Sequence, residues 1–308
     1  MVIRELKDGR CFVSLQEDHA ELSAQFAAHW GNDRFSRLRP YQTMVFATTY
    51  HDSGYREWEG TPPMNVEKGR PYAHREDVPN FEAVELKAYY KNVDWLSSQD
   101  IYAGLLVSMH RTGLWHNRYN IFTEPAGRLR ERSQPVQNAK KELEAKQAEV
   151  KKSLAAKTSG FENELAYNYM ALQIFDLLSL YFCCDGYASD NQFKEYAIAP
   201  VRVSYDSDES VRLTIRPNGA GSVIMDPYPF DVSPVKFSAR ARIVSPPKEK
   251  SEAACAEAYH KAARQQLTFQ LFFPSSVIIH ADIHDAIKVR GSFKPRRDEC
   301  ANTLLAEM

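Results

Sequence analysis

A chain of 308 residues is long enough for one large domain or for a domain with an elaborate extension, and its 39 basic residues nearly cancel its 40 acidic ones. That balance supplies no whole-molecule field toward nucleic acid or an anionic membrane, so neither is expected as a partner and a small-molecule substrate is. Arg4, Glu5, Lys7, Asp8 and Arg10 leave no apolar export segment, and no run of about eighteen apolar residues follows. The sequence therefore predicts a soluble cytoplasmic protein, with self-association into a homo-oligomer left open.

Over residues 16–98 helical patterns alternate with Pro- and Gly-rich loops, notably Gly60-Thr61-Pro62-Pro63 and Gly69-Arg70-Pro71. In the first helix, at about 100° per residue, His19, Leu22, Phe26 and Trp30 share a stripe roughly 80° wide, so His19 points into the core. His29 lies at the edge of that stripe and reads equally well as a packed, hydrogen-bonded histidine. An apolar run from Met44 reaches His51-Asp52 just before Gly54, a residue suited to a helix C-cap. His74, after a Pro-rich turn, is a weaker ligand candidate.

Residues 100–114 are apolar nearly all round, as a central helix requires, and place His110 on the face of Ala103, Leu106, Val107 and Leu114, with Gly113 as a stop. At 125–160 the composition turns to Lys, Glu, Ala and Gln, which predicts a solvated helix or hairpin arm. Residues 161–184 return to an apolar helix that contains Asp176 in the run Ile174-Phe175-Asp176-Leu177-Leu178. Beyond Asp185-Gly186, segments 197–205, 211–216 and 235–244 alternate or are β-branched, which predicts a β-rich extension. Residues 250–266 read as helix and 267–280 as an apolar strand-like run. The five cysteines (Cys11, Cys183, Cys184, Cys255, Cys300) show no C-x-x-C spacing and are expected to be reduced, packed residues. His280 and His284, at i and i+4, form a further cluster of ligand types near the chain end.

A carboxylate at Asp176 among residues that must be core needs a cation or a proton, because an unpaired buried charge costs several kcal/mol. A buried salt bridge or a cap would explain any one of these polar residues alone. Four helices each turning a ligand-type side chain inward (His19, His51-Asp52, His110, Asp176) point instead to a metal.

That order of residues resembles the H…HD…D signature of the HD superfamily of metal-dependent phosphohydrolases. Ala28-His29-Trp30-Gly31-Asn32, His51-Asp52-Ser53-Gly54 with Trp58-Glu59, Leu105-Leu106-Val107-Ser108-Met109-His110 and Pro227-Tyr228-Pro229-Phe230 resemble more closely an uncharacterised HD-like domain family. The resemblance implies a mainly α fold, with an HD-like helical domain at 1–195 carrying the arm at about 125–160, and a β-rich extension at 196–308. It implies His19, His51, Asp52 and Asp176 as metal ligands, Asp52 also facing the metal-bound water, and His110 as a further ligand or a catalytic group facing the substrate. The metal would be one or two divalent ions, Mn, Fe, Zn or Mg, and the reaction hydrolysis of a small phosphate ester. Arg111 and Lys91 are the nearest basic candidates for substrate phosphate. The alternatives are a di-iron oxygenase on the same scaffold and a non-catalytic binding protein with a degraded site.

Overall fold

The computed structural model describes residues 1–74, 76–124, 133–185, 194–219 and 221–274. The His280–His284 cluster, Cys300 and the start of the Lys/Glu-rich arm lie outside the described residues. In chain order the elements begin with β1 (Val2–Glu5), β2 (Cys11–Ser14), α1 (Gln16–His29), α2 (Tyr41–Tyr50), α3 (Arg56–Gly60), β3 (Met64–Asn65) and β4 (Arg70–Pro71). Next come α4 (Phe81–Gln99), α5 (Ile101–Trp115), β5 (Phe122–Glu124), α6 (Gln134–Ala155) and α7 (Phe161–Leu180). The chain continues through β6 (Tyr196–Arg202), β7 (Ser210–Pro217), β8 (Ser222–Asp226), β9 (Val235–Val244), α8 (Glu252–Lys261) and β10 (Arg264–Phe272).

Eight strands form one sheet in the order β1-β2-β9-β10-β8-β7-β6-β5, antiparallel throughout except where β10 runs parallel to β8. The expectation of a mainly α chain with strands confined to a C-terminal extension is therefore overturned. With about 49% helix and 22% strand this is an α+β fold, and its sheet draws on the N-terminus, the middle and the C-terminal third of the chain. The N-terminal strands escaped the sequence reading for a physical reason. They are four residues long, and the alternation of β1 is broken by Arg4, a buried cation that donates to the Phe182 carbonyl at 2.8 Å.

Helix α1 lies between the sheet and the other helices, against β9 on one side and α2 and α7 on the other. Phe26 makes the junction: its ring centroid is 4.4 Å from that of Phe237 on β9 and 6.1 Å from that of Phe182 just after α7. The motifs Ala28-His29-Trp30-Gly31-Asn32 and Pro227-Tyr228-Pro229-Phe230 meet each other at the end of α1. The Gly31 N–H donates to the Pro229 carbonyl at 2.9 Å, and Asn32 Nδ2 donates to the Tyr228 carbonyl at 2.8 Å.

Every residue of α5 except Ile101 and Leu114 is buried, as a central helix requires, and Asp100 caps it by accepting the Tyr102 and Ala103 N–H groups at 2.8 and 3.1 Å. Helix α6 is not solvated all round. Val136, Ala139, Leu143 and Gln147 form a buried face, and Gln147 donates to Ser108 and Thr112 of α5 at 2.9 and 3.2 Å. Among the described residues no helix is long and apolar enough to cross a membrane. Cys11, Cys183 and Cys255 are buried free thiols.

Gly54 is not a left-handed cap. Its place in the turn after α2 is set by close approach, because a Cβ there would collide with the Ala88 carbonyl of α4. Gly54→Ala should therefore push α4 away and destabilise the fold by about 1–3 kcal/mol, the range for overpacking. Urea unfolding reads this as a lower midpoint at an unchanged slope, and an unshifted midpoint would contradict it.

Candidate metal centre

Four elements deliver the cluster, and each is held by contacts outside it. Helix α1, which carries His19, starts where Glu59 of α3 accepts the Gln16 N–H at 2.9 and 3.0 Å. Helix α2 ends at His51-Asp52, and its terminal carbonyls, without helical partners, are taken up by side chains from α4 and α5. Asn92 donates to the Tyr50 and His51 carbonyls at 3.0 and 2.7 Å, and Arg111 also donates to the His51 carbonyl. Helices α5 and α7 add His110 and Asp176.

The side chains converge in the core. One ligand atom each from His19, His51 and Asp176 lies within 4.8 Å of the others, and the same holds for His51, Asp52 and His110. His19 Nε2 is 2.7 Å from Asp52 Oδ2, while His51 Nε2 is 3.8 Å from that oxygen and 3.5 Å from Asp176 Oδ1. Each carboxylate thus turns one oxygen toward the histidines and gives the other to an arginine. Asp52 Oδ1 accepts from Arg111, which is buried and stacked on the Tyr89 ring at 4.1 Å. Asp176 Oδ2 accepts from Arg118 at 2.6 Å.

These pairings set the charge states. Burial raises the pKa of both carboxyls, but their partners outweigh it, Arg111 with the His51 and His19 rings at Asp52 and Arg118 with the His51 ring at Asp176, so both sit well below the ordinary value. Burial alone would lower the pKa of His51, yet Asp52 and Asp176 raise it. At His110 burial dominates and pushes the pKa well below the ordinary value, so this ring is neutral.

Hydrogen bonds assign the tautomers. His51 Nδ1 donates to the Thr48 carbonyl at 2.7 Å, which in the neutral ring leaves a lone pair on Nε2. That Nε2 is buried without a hydrogen-bond partner among the described residues and faces two carboxylate oxygens. His110 is the converse case. Arg118 donates to Gln173 Oε1 at 2.6 Å, so the Gln173 amide nitrogen faces His110 Nδ1 at 2.7 Å, and the ring hydrogen belongs on Nε2.

His19, His51, Asp52, His110 and Asp176 therefore come together, whereas the expected phosphate contacts do not. Arg111 is committed to Asp52 and the His51 carbonyl inside the core, and exposed Lys91 pairs with Glu57 at 3.2 Å on the surface. His29 pairs with Asp231 at 3.0 Å near solvent, and His74 faces the Met1 carbonyl at 3.3 Å.

Sequence reasoning missed Arg118, Gln173 and Ser179, the last of which bonds His19 Nδ1 at 2.8 Å. Gln173, Asp176 and Ser179 recur every third residue in the otherwise apolar stretch 169–180, a signal that was available. Arg118 gave none. It is placed by three consecutive non-glycine residues at positive φ, Arg118 at 52°, Tyr119 at 49° and Asn120 at 75°, a sparsely populated conformation that side chains adopt at a cost.

Residues 1–246 match the family described as "Protein of unknown function (DUF3891)", and the chain belongs to that family. No curated protein and no solved structure matches it.

Removing the partner of a buried charge costs about 3–5 kcal/mol, so Asp52→Asn, which leaves Arg111 uncompensated, should destabilise the fold by that amount at pH 7. Because the pKa of Asp52 is lower in the folded than in the unfolded chain, its contribution is present above about pH 4 and is lost as pH falls through the depressed value. The stability gap between wild type and Asp52→Asn should therefore narrow below pH 4 in denaturant titrations. A gap that stays constant down to pH 2 would contradict the assignment.

Proposed function

We propose that this chain, whose family lends it no activity, is a metal-dependent hydrolase of the HD type that acts on a small phosphate ester, with His19, His51, Asp52 and Asp176 as ligands. The observation that carries this reading is His51 Nε2, buried with no hydrogen-bond partner among the described residues and 3.8 and 3.5 Å from one oxygen each of Asp52 and Asp176. Either a proton or a metal ion relieves that arrangement. The donor set favours the metal, because both candidate histidine ligands anchor Nδ1 on an oxygen and turn Nε2 inward, as metal-bound imidazoles do. A bound divalent ion would supply Lewis acidity and an acidified water.

The chain's own residues define the surroundings of that chemistry. Asp52 Oδ2 and Asp176 Oδ1 offer one oxygen each, and Arg111 holds Asp52 in place from behind. A carboxylate bridging two ions through both of its oxygens would have to release its arginine, and one ion needs no such release. His110, neutral with its hydrogen on Nε2, can donate to a substrate oxygen or a water. Arg118, whose side chain is 15% exposed against 2% for Arg111, replaces Arg111 and Lys91 as the cation that meets a phosphate.

One competing reading has an observation in its favour: two arginines already balance two carboxylates, as in a buried polar core without metal. Hydrolysis of p-nitrophenyl phosphate by the purified chain, supplied in turn with Mn²⁺, Zn²⁺, Fe²⁺ and Mg²⁺ and compared after chelation, separates the two. The hydrolase reading predicts activity with at least one ion, its loss in Asp176→Ala, and a KM raised about 10- to 100-fold in Arg118→Ala, the worth of a charged hydrogen bond. Absence of hydrolysis with every ion, in a folded chain, would leave the polar-core reading in place.

A further inference from the structure

Beside the cluster lies a cavity of about 500 Å³ that no part of the proposed centre fills. Met109 of α5, Tyr119 of the turn that follows, and Tyr169 and Met170 of α7 line it, together with two exposed alanines, Ala148 of α6 and Ala166 of α7. Its volume is that of a small-molecule site.

The cavity lies close to the cluster, since Tyr169 of its lining feels the charges of Arg118 and Asp176. Tyr119 directly follows Arg118, whose guanidinium rests on Asp176, and Met109 directly precedes His110. The same left-handed run therefore sets both the cation at the centre and an aromatic face of the cavity.

Three features describe the occupant. The Tyr119 and Tyr169 rings stand 5.5 Å apart at 61°, and Met109 and Met170 add thioethers, a lining that favours the faces and edges of an aromatic ring. The phenol oxygen of Tyr169 is buried against Gly113 of α5, so Tyr169 presents its ring, not its hydroxyl, to the cavity. Lys151 in the lining has no ion pair among the described residues, while Glu144 is engaged by His116 at 2.8 Å, so the local field favours an anion.

We propose that this cavity holds the aromatic body of the substrate, which makes the ester turned over at the centre an aryl-bearing organic anion. The proposal rests on the hydrolytic reading for the word substrate, but not for the binding it predicts. Calorimetric titration of the full chain with 1-naphthylmethylphosphonate and with methylphosphonate, neither of which has an ester bond to hydrolyse, tests the binding directly. Wild type should bind the naphthyl compound at least ten-fold more tightly. Ala148→Trp and Ala166→Trp, which place bulk in the lining from exposed positions, should abolish that preference and leave methylphosphonate binding and the melting temperature unchanged. Equal affinity for the two phosphonates in wild type, or a preference that survives in both tryptophan variants, would overturn the proposal. If the preference holds and is lost in the variants while no phosphate ester is hydrolysed, the cavity assignment stands and the hydrolytic reading falls. If simple esters are hydrolysed while the preference is absent, the reverse holds.

Discussion

His51 donates its Nδ1 hydrogen to the Thr48 carbonyl, and that bond dictates what the centre can hold. The ring is pinned at the end of α2, its Nε2 is buried, and carboxylate oxygens of Asp176 and Asp52 lie 3.5 and 3.8 Å from it. A lone pair facing two anions in a medium of low dielectric is unfavourable unless a positive centre stands between them. The rest of the arrangement follows from this constraint: one oxygen of each aspartate turned inward, and the outer oxygens given to Arg111 and Arg118.

The two arginines are not equivalent. Arg111 sits in the core between Asp52 and Tyr89 and also closes the carbonyl end of α2, so it serves the fold as much as the site. Arg118 reaches Asp176 from a run of three left-handed residues and orients Gln173, which in turn fixes the His110 ring. Backbone strain of this kind persists where surrounding structure enforces it. Here it places a partly exposed cation on Asp176 and, one residue on, an aromatic side chain in the lining of the cavity.

Much of the centre was legible before any coordinates. His19 followed from the apolar stripe of α1, His110 from the burial of α5, and Asp176 from a charge inside an apolar helix. The demand of Asp176 for a cation is met at one oxygen by Arg118, the buried salt bridge that explains the residue without a metal, while the other oxygen faces His51 Nε2 at 3.5 Å. What could not be read had no local signature. Arg118 owes its position to dihedral angles that its residue type does not announce. The sheet owes its order to pairings between residues far apart in sequence, Cys11 with Val244 for example, in which β2, unlike β9, is too short for periodicity to mark. Gly54, which suggested a cap, is required by the neighbouring helix instead.

The central claim is that a cation other than a proton resolves the contact between His51 and the two aspartates. Elemental analysis of the purified chain, paired with thermal melts before and after chelation and after return of the metal, tests it most directly, because binding to a site formed only on folding must stabilise the fold. The account predicts close to one divalent transition metal per chain, a lower melting temperature on chelation and its recovery when the ion is returned. A chain that carries no such metal, takes none up, and melts at the same temperature with and without chelator would contradict it.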